Sequence, residues 1–395
     1  MKDINAYKRT KLACYLGFVT QAIVANFTPL LFLAFHREYD IPIASLALIP
    51  AVFYVVQLVT DFLCAKFKDL DYRRSIIVSE ITSAAGLAGL AFLPQLFPYP
   101  LVGILICVGI YAVGSGLIEV LCSPIIEACP FPNKEGMMSL LHSFYCWGAV
   151  GVILGSTLFF SLFGLDNWRI LACLWALVPL YNIVNFATCP IDPIVADSEG
   201  MSMGQLLRNK TFWLFLVLMV AAGASESSMA QWTSAFAEAS LGVDKAIGDL
   251  AGPCGFAFCM GLGRFWYGKK GQKLDLSAYM MGAGVLCFAA YLTASLSPLP
   301  AVAFVGCMVS GLAVGIMWPG SISITSARMP GGGTALFALL ALAGDAGGTL
   351  GPSLVGLCTR SSENSIQSGL LAASVFPVLL VLSLLLIRRT FKNKS

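Results

Sequence analysis

Two very long stretches of this chain contain no charged side chain. Neither residues 81–118 nor residues 276–327 include an Asp, Glu, Lys or Arg. A soluble globular chain carries roughly 25% charged residues to cover its water-facing surface. This chain carries 11%, and 58% of its 395 residues are hydrophobic. The sequence therefore predicts a polytopic membrane protein, with the lipid bilayer as its solvent.

In lipid, only helices and closed barrels satisfy all backbone hydrogen bonds, and a spanning helix needs about 20 apolar residues. Because the short alternating strands of a barrel are not seen in the sequence, we predict an all-α membrane protein with twelve transmembrane helices. They are placed near residues 12–35, 43–66, 75–96, 99–122, 137–163, 168–188, 211–237, 246–267, 275–296, 299–326, 334–358 and 368–388. The first is predicted to be a retained helix, since no secretory cleavage pattern follows its basic start.

The basic residues give an independent test of this helix count, because loops on the cytoplasmic side retain Lys and Arg. If both termini are cytoplasmic, this side holds all of the 24 Lys and Arg except Arg37, Arg169, Lys245 and Arg360. Such an asymmetry fits an even number of helices. It predicts a multi-pass protein of the plasma membrane with both termini in the cytoplasm.

The chain also repeats weakly at an offset of about 200 residues. A short basic turn follows the second helix of each half, at 66–74 and again at 266–273. Parallel repeats of this kind place the substrate near the bilayer midplane, between the halves. We predict an N-terminal six-helix bundle over 1–189, a cytoplasmic linker over 190–209 and a C-terminal six-helix bundle over 210–395.

Several motifs resemble those of the major facilitator superfamily and, within it, the fucose and proton symporter family. The turn Asp69-Leu-Asp-Tyr-Arg-Arg74 resembles the superfamily's loop motif Asp-Arg-x-Gly-Arg-Arg, and Gly263-Arg-Phe-Trp-Tyr-Gly-Lys-Lys-Gly271 is its second copy. On helix four, Gly116-Leu-Ile-Glu-Val-Leu-Cys-Ser-Pro124 is similar to the symporters' Gly-x-x-Glu-Thr-x-x-Asn-Pro. On helix five, Ser139-Leu-Leu-His-Ser-Phe-Tyr-Cys-Trp-Gly148 resembles Asn-Leu-x-Gln-x-Phe-Asn-x-x-Gly.

The resemblance implies two pseudo-symmetric six-helix bundles, the major facilitator fold, and transport of a sugar-like solute together with protons. It implies that Glu119 takes part in proton coupling and that His142 and Tyr145 lie at sugar-contacting positions. The symporters' acidic residue on helix one falls near Thr28 and Pro29, where this chain has no carboxylate.

Ionisable side chains inside the predicted helices are the candidates for proton coupling, because each costs roughly 3 kcal/mol or more in hydrocarbon unless it has a partner, water or a function. Glu226 lies midway along helix seven, Asp345 midway along helix eleven and Glu119 nearer one end of helix four. The alternative is a protonated or paired structural carboxyl. For Asp61, a salt bridge with a loop cation is favoured. We expect no charge in the middle of helices three, six, nine or twelve.

Uncharged polar and aromatic groups are predicted to form the solute site, since amides bind hydroxyl groups and ring faces cover apolar sugar surfaces. With the two positions above, these candidates are His142, Tyr145, Asn26, Gln21, Gln231, Trp147, Trp232 and Trp318. The alternative for each tryptophan is packing or an interfacial position. A cytoplasmic gate is predicted at Asp69, Arg73, Arg74, Arg264 and Lys269, the alternative for its cations being simple anchoring.

These features predict a secondary active transporter of a small polar, sugar-like solute that works by proton-coupled alternating access. The alternative is a proton-driven exporter of amphipathic or drug-like compounds. An enzyme is not expected, because neither a nucleotide-binding loop nor an HExxH motif is present. The cysteines are scattered without a CxxC pair, so we expect no metal and no cofactor. The partners are a solute, protons and lipid; nucleic acid is not expected, and the chain should be a monomer.

Overall fold

The computed structural model describes residues 6–46, 48–67, 70–192, 200–241, 245–361 and 366–392. Within these ranges the chain is helical and contains no strand. The twelve long helices are α1 (Tyr7–Asn26), α2 (Leu48–Lys66), α3 (Tyr72–Leu90), α4 (Pro100–Ala128), α5 (Lys134–Phe163), α6 (Trp168–Thr188), α7 (Lys210–Leu241), α8 (Lys245–Lys270), α9 (Leu276–Leu296), α10 (Pro300–Val314, continued by Met317–Arg328), α11 (Gly333–Ser361) and α12 (Ile366–Ala373, continued by Val375–Lys392).

Shorter helical segments connect them. They are the 3₁₀ turns Thr28–Leu31, Leu93–Leu96, Leu165–Asn167 and Gly271–Lys273, and the short helices Phe32–Tyr39, Ile43–Leu46 and Met203–Arg208. The last lies in the predicted linker. It begins with a capping box between Ser202 and Gln205, which stabilises its first turn.

Ten of the long helices are long and apolar enough to cross a bilayer, counted over the described part of the chain. The other two long helices, α3 and α8, carry more charged side chains and bring the number of long helices in the described ranges to twelve. One face of α6 carries an exposed apolar stripe. It is formed at helical spacing by Ile170, Leu174, Leu177 and Tyr181. Monomeric soluble proteins rarely expose a contiguous apolar surface of this kind, whereas lipid can cover it.

Corresponding helices of the two halves begin with the same chemistry. Asp71 caps α3 by accepting a hydrogen bond from the backbone N–H of Arg74, and Asp275 caps α9 in the same way. Pro100 and Pro300 are the first residues of α4 and α10, a position where the missing proline N–H costs nothing. The weak sequence repeat therefore extends to the helix starts.

Helix ends differ from the prediction at identifiable residues. α1 begins at Tyr7 and so includes its basic residues. α4 continues through Pro124 to Ala128, although the prediction ended it at residue 122. A proline is tolerated within a membrane helix because neighbouring helices satisfy the freed backbone groups. α10 is interrupted at Gly315, between its two segments.

The described residues form two compact units. The first takes its residues from 1–132, 147–200 and 333–338. Its core packs Ile23, Phe27, Phe35, Tyr111 and Trp168, all of which are buried.

The second unit takes its residues from 133–146, 201–332 and 339–395. Its fully buried side chains include Phe212, Phe215 and Tyr291. The predicted bundle boundaries at residues 189 and 210 stay a prediction.

Candidate functional site

In the first unit, a carboxylate on α4 is held by two amides. The Gln21 side chain of α1 donates to Glu119 Oε2 at 2.9 Å, and that of Gln57 on α2 donates to the same oxygen at 2.7 Å. Ser115 in turn donates to Gln57 Oε1 at 2.9 Å. Gln21 Oε1 is buried with no hydrogen-bond partner among the described groups. Three helices therefore meet at a carboxylate whose two amide donors carry no charge.

In the second unit, a buried ion pair joins α7 to α8. Arg264 Nη2 lies 2.9 Å from Glu226 Oε2, and only 3% of the Arg264 side chain is exposed. The guanidinium also donates to Gly315 O, at the interruption of α10, over 2.9 Å and to His142 O over 3.1 Å. Its contact with Cys146 Sγ is 3.2 Å. Residues of four helices are thus connected by one arginine.

The first half of α5 packs closely on α8 within the same unit. Ser139 donates to Arg264 O at 2.7 Å, and Tyr267 donates to Glu135 at 3.0 Å. At Gly268 an added Cβ would lie 3.0 Å from Gly136 O. The first half of α5 is therefore in contact with the turn of α8 that runs from Arg264 to Gly268.

The helix α11 candidates lie in a tightly packed region of the second unit. Asp345 is half-buried, and the adjacent Gly344 leaves no space for a side chain because Trp318 fills it, 2.3 Å from where a Cβ would stand. Trp232 of α7 donates to Pro352 O on α11 at 3.2 Å. Both tryptophans thus contact α11, and a role of either in solute binding stays a prediction.

The other solute candidates differ in how their polar groups are used. Asn26 donates to Ala22 O one turn back at 2.9 Å, so its amide caps its own helix. Gln231 is exposed, whereas Tyr145 and Trp147 are half-buried on α5. His142 is 4% exposed. The structure groups Gln21 with Glu119, and the backbone of His142 with Arg264 and Glu226.

The predicted gate residues make several different contacts. Arg73 donates to Phe186 O, Ala187 O and Cys189 O at 2.7, 3.0 and 2.8 Å. It therefore binds the last carbonyls of α6, where a cation is favourable.

The remaining gate residues are spread more widely. Arg74 is exposed beside Asp71, with a 3.2 Å ion pair, and Lys269 lies over the Phe265 ring at 5.7 Å. Arg264 is buried and paired with Glu226, and Asp69 lies outside the described residues. Asp61 is fully buried on α2, and its Oδ1 lies 3.2 Å from where a Cβ of Gly116 would stand.

The sequence profile of the Major Facilitator Superfamily matches residues 13–352. This chain belongs to the Major Facilitator Superfamily. The predicted fold, twelve transmembrane helices in two pseudo-symmetric bundles of six, is confirmed. As a member of the superfamily the chain is a transporter and not an enzyme. No curated protein matches its sequence significantly.

Solved structures of the superfamily share this fold at low sequence identity. The fucose:proton symporter of E. coli has a TM-score of 0.81 at 14% identity, over 97% of this chain and 99% of that one. A proton:xylose symporter has a TM-score of 0.78 at 12% identity, over 98% of this chain and 96% of that one. The human organic anion transporter MFSD10 has a TM-score of 0.73 at 15% identity, over 95% of this chain and 99% of that one.

This facilitator also contains a buried carboxyl that the sequence analysis missed. Glu80 is fully buried near the middle of α3, so the expectation that helix three carries no charge in its middle is wrong. Thr20 donates to its Oε2 at 3.0 Å and Asn182 to its Oε1 at 2.8 Å. The error arose because helix three was placed at 75–96. The helix-capping pattern of Asp71, followed by the helix start at Tyr72, would have moved Glu80 inward.

Gln57 of the facilitator was the other residue missed at the Glu119 site. It is an isolated amide in a strongly apolar helix, and a buried amide requires a partner. That signal was present in the sequence. The sequence did not show that Glu119 is the hydrogen-bond partner of Gln57, because the two residues are 62 positions apart.

Proposed function

We propose that this facilitator is a secondary active transporter that moves a small polar, sugar-like solute by proton-coupled alternating access. It would act as a monomer in the plasma membrane with both termini in the cytoplasm, as the distribution of Lys and Arg indicates. The observation that carries the proposal is the Glu119 carboxylate held between the amides of Gln21 and Gln57.

This arrangement suits a group that gains and loses a proton. An ionised Glu119 accepts both amide N–H groups, as observed. A protonated Glu119 must instead donate one hydrogen bond, and a half-turn of the Gln21 amide would offer Oε1 as its acceptor. That oxygen has no hydrogen-bond partner in the described structure, so the turn would bring an unused acceptor to the new proton. In alternating access, the solution that reaches the site in each conformation then decides whether Glu119 gains or loses its proton.

Glu226 is the second proton-coupling candidate, because it lies in the middle of a spanning helix beside a buried cation. Opposite charges favour its ionised form, whereas burial favours its neutral form. A change in the position of Arg264 would therefore change how tightly Glu226 holds a proton. Asp345, half-buried on α11, is the third candidate.

The sugar-like solute is supported by fold similarity and by the amide and aromatic side chains of the membrane-spanning helices. The similar structures include symporters of fucose and of xylose. The proposed solute contacts are Gln21, Trp147 and Asn26 in the first unit. In the second unit they are His142, Tyr145, Gln231, Trp232 and Trp318. Amide and aromatic groups of this kind suit the hydroxyl groups and apolar faces of a sugar.

The second candidate function is export of amphipathic compounds driven by protons. The similarity to an organic anion transporter favours including this class of solute.

The test is uptake by purified protein in proteoliposomes, with a panel of sugars and organic anions, in the presence and absence of an inward proton gradient. We expect one sugar-like solute to accumulate only with the gradient. Glu119→Gln should abolish accumulation but leave solute exchange, because a glutamine cannot carry a proton. Ser161→Ala, an exposed change on α5, is the matched control. Accumulation that ignores pH and survives Glu119→Gln and Glu226→Gln would contradict proton coupling.

A further inference from the structure

The first unit contains a cavity of about 290 Å³ at the end where α1 leads into α2 and α5 leads into α6. It lies between the short helix Phe32–Tyr39 and the turn Leu165–Asn167 with the first residues of α6. In the proposed topology this end faces the outside. We propose that the cavity is a binding site for a small zwitterion, with Arg37 binding its carboxylate and Asp166 binding its ammonium group.

This site goes beyond the proposed transport function. It shares no residue with the Glu119 carboxylate and its two amides. Its ligand is therefore a second one, which binds the protein without being the transported solute.

The charges around the cavity are unusual for this face of the protein. The predicted topology leaves four Lys and Arg outside, and two of them, Arg37 and Arg169, line this one cavity. Two carboxylates, Glu38 and Asp166, line it as well. Basic residues orient a membrane protein from the cytoplasmic side, so orientation does not explain a group of charges here.

Two of the four charges neutralise each other and form the floor of the cavity. Arg169 makes an ion pair with Glu38 and donates to the Tyr39 hydroxyl at 3.0 Å. The indole N–H of Trp168 donates to Glu38 Oε2 at 2.9 Å. Trp168 is fully buried and meets the Phe35 ring edge to face, with the ring centroids 5.3 Å apart. Glu38 and Arg169 are therefore held by the protein itself.

The other two charges, Arg37 and Asp166, are available to a ligand. Both are exposed, and neither side chain makes an ion pair or a hydrogen bond within the part of the chain that the structure describes. A ligand with only a carboxylate would face Asp166 with a like charge, and one with only an ammonium group would face Arg37 in the same way. A zwitterion complements both charges.

The size and the walls of the cavity limit the ligand further. Its volume lies at the lower end of the roughly 300–1,000 Å³ that small-molecule sites occupy. The planar guanidinium of Arg37 suits bidentate binding of a carboxylate. Ala34 and Leu165 add apolar wall, which suits a short chain of methylene groups. The chemistry is thus that of a small amino acid.

The experiment is isothermal titration calorimetry of the full-length protein in lipid nanodiscs, with the ω-amino acids from glycine to aminohexanoate as ligands. These compounds carry the same two charged groups and differ only in the distance between them. We expect saturable binding. One chain length should bind about tenfold more tightly than the carboxylic acid and the amine of the same length, each of which loses one charged hydrogen bond.

Variants of the two charged residues test which end of the ligand each one binds. Arg37→Gln and Asp166→Asn should each weaken binding of the preferred amino acid by about tenfold. The double variant Arg37→Asp with Asp166→Arg should recover most of the affinity, because a zwitterion can bind in the reversed orientation. The matched control is Arg389→Gln, an exposed arginine on α12, which should bind as the wild type does.

Unfolding temperatures should be unchanged in all of these variants, because the replaced side chains are exposed. The inference is overturned if no member of the series binds saturably, or if the carboxylic acid alone binds as tightly as the amino acid. Binding that survives both Arg37→Gln and Asp166→Asn also overturns it, because the ligand then lies elsewhere. The calorimetry measures no transport, so its outcome is independent of whether proton-driven uptake is observed.

Discussion

At the scale of single residues, the carboxyl groups of Glu80, Glu119 and Glu226 differ in what surrounds them. Arg264 faces Glu226, two amides face Glu119, and a hydroxyl and an amide face Glu80. A buried carboxylate without a cation is expensive. The neutral contacts of Glu80 therefore fit a protonated structural group, whereas the pair at Glu226 fits an ionised one.

Glu80 supplies a prediction at this scale. Glu80→Gln keeps an acceptor for Asn182 and a polar group for Thr20, so we expect stability within about 0.5 kcal/mol of the wild type. Glu80→Ala removes both and leaves a cavity, which should cost about 2–4 kcal/mol. Thermal unfolding in one detergent measures both. Equal destabilisation by the two variants would show that the charge of Glu80 matters.

The sequence identified which residues were chemically unusual but not which ones meet. Glu119 and Glu226 stood out because they interrupt apolar helices, and that rests on composition alone. Their hydrogen-bond partners could not be identified from the sequence, since Gln21 lies 98 positions from Glu119 and Arg264 lies 38 positions from Glu226. Arg264 was assigned to the gate because it is near a basic turn, yet it faces inward. Its roles in gating and in coupling stay proposals.

At the scale of elements, helix ends depend on side chains from other helices. The last carbonyls of α6 are bound by Arg73, which lies on α3. Such carbonyls have no partner in their own helix. Arg73 looks like a loop cation in the sequence, yet its side chain caps the C-terminal end of α6 by binding these carbonyls.

Arg73→Ala should destabilise the first unit by about 1–3 kcal/mol, because charged hydrogen bonds to three carbonyls are lost. The matched control is Arg74→Ala. Its exposed pair with Asp71 is worth only about 0–1 kcal/mol. Thermal unfolding, together with faster hydrogen exchange at the end of α6 in Arg73→Ala alone, checks this. A similar loss from both variants would refute the capping role.

The contact between α7 and α11 depends on glycines. An added Cβ at Gly347 would lie 2.1 Å from Val220 O, so the backbones touch directly. Gly347→Ala should therefore cost about 2 kcal/mol or more. Gly282→Ala on α9 has open space around it and should be neutral or slightly stabilising, by about 0.5–1 kcal/mol. Comparing the two unfolding temperatures tests the packing, and equal temperatures would contradict it.

Helix positions were predictable because each span is a long apolar run, and the structure has a helix at each predicted place. The residues at which the helices end were less predictable. Helix four was predicted to end at residue 122, yet α4 continues through Pro124 to Ala128, since adjacent helices satisfy the backbone group that the proline leaves free. The interruption of α10 at Gly315 lies four residues before Pro319, which has no N–H to bond to the Gly315 carbonyl. The donor that binds this carbonyl instead, Arg264, is a tertiary contact.

At the scale of the whole molecule, the solvent determines the architecture. A chain with 11% charged residues must place apolar surface against lipid, as the exposed stripe of α6 does. The repeat at an offset of about 200 residues predicted the doubled architecture, and the shared starts of α3 with α9 and α4 with α10 agree with it. The identity of the solute could not be predicted in the same way, because one fold can serve many different functions.

The most direct test of the central claim is whether protons enter with the solute. Proteoliposomes without any imposed gradient are suspended in weakly buffered medium, and the external pH is recorded as the transported solute is added. We expect the medium to become alkaline as solute and protons enter together, and Glu119→Gln to take up solute without this change. Rapid solute entry by the wild type with no change in external pH would contradict the account.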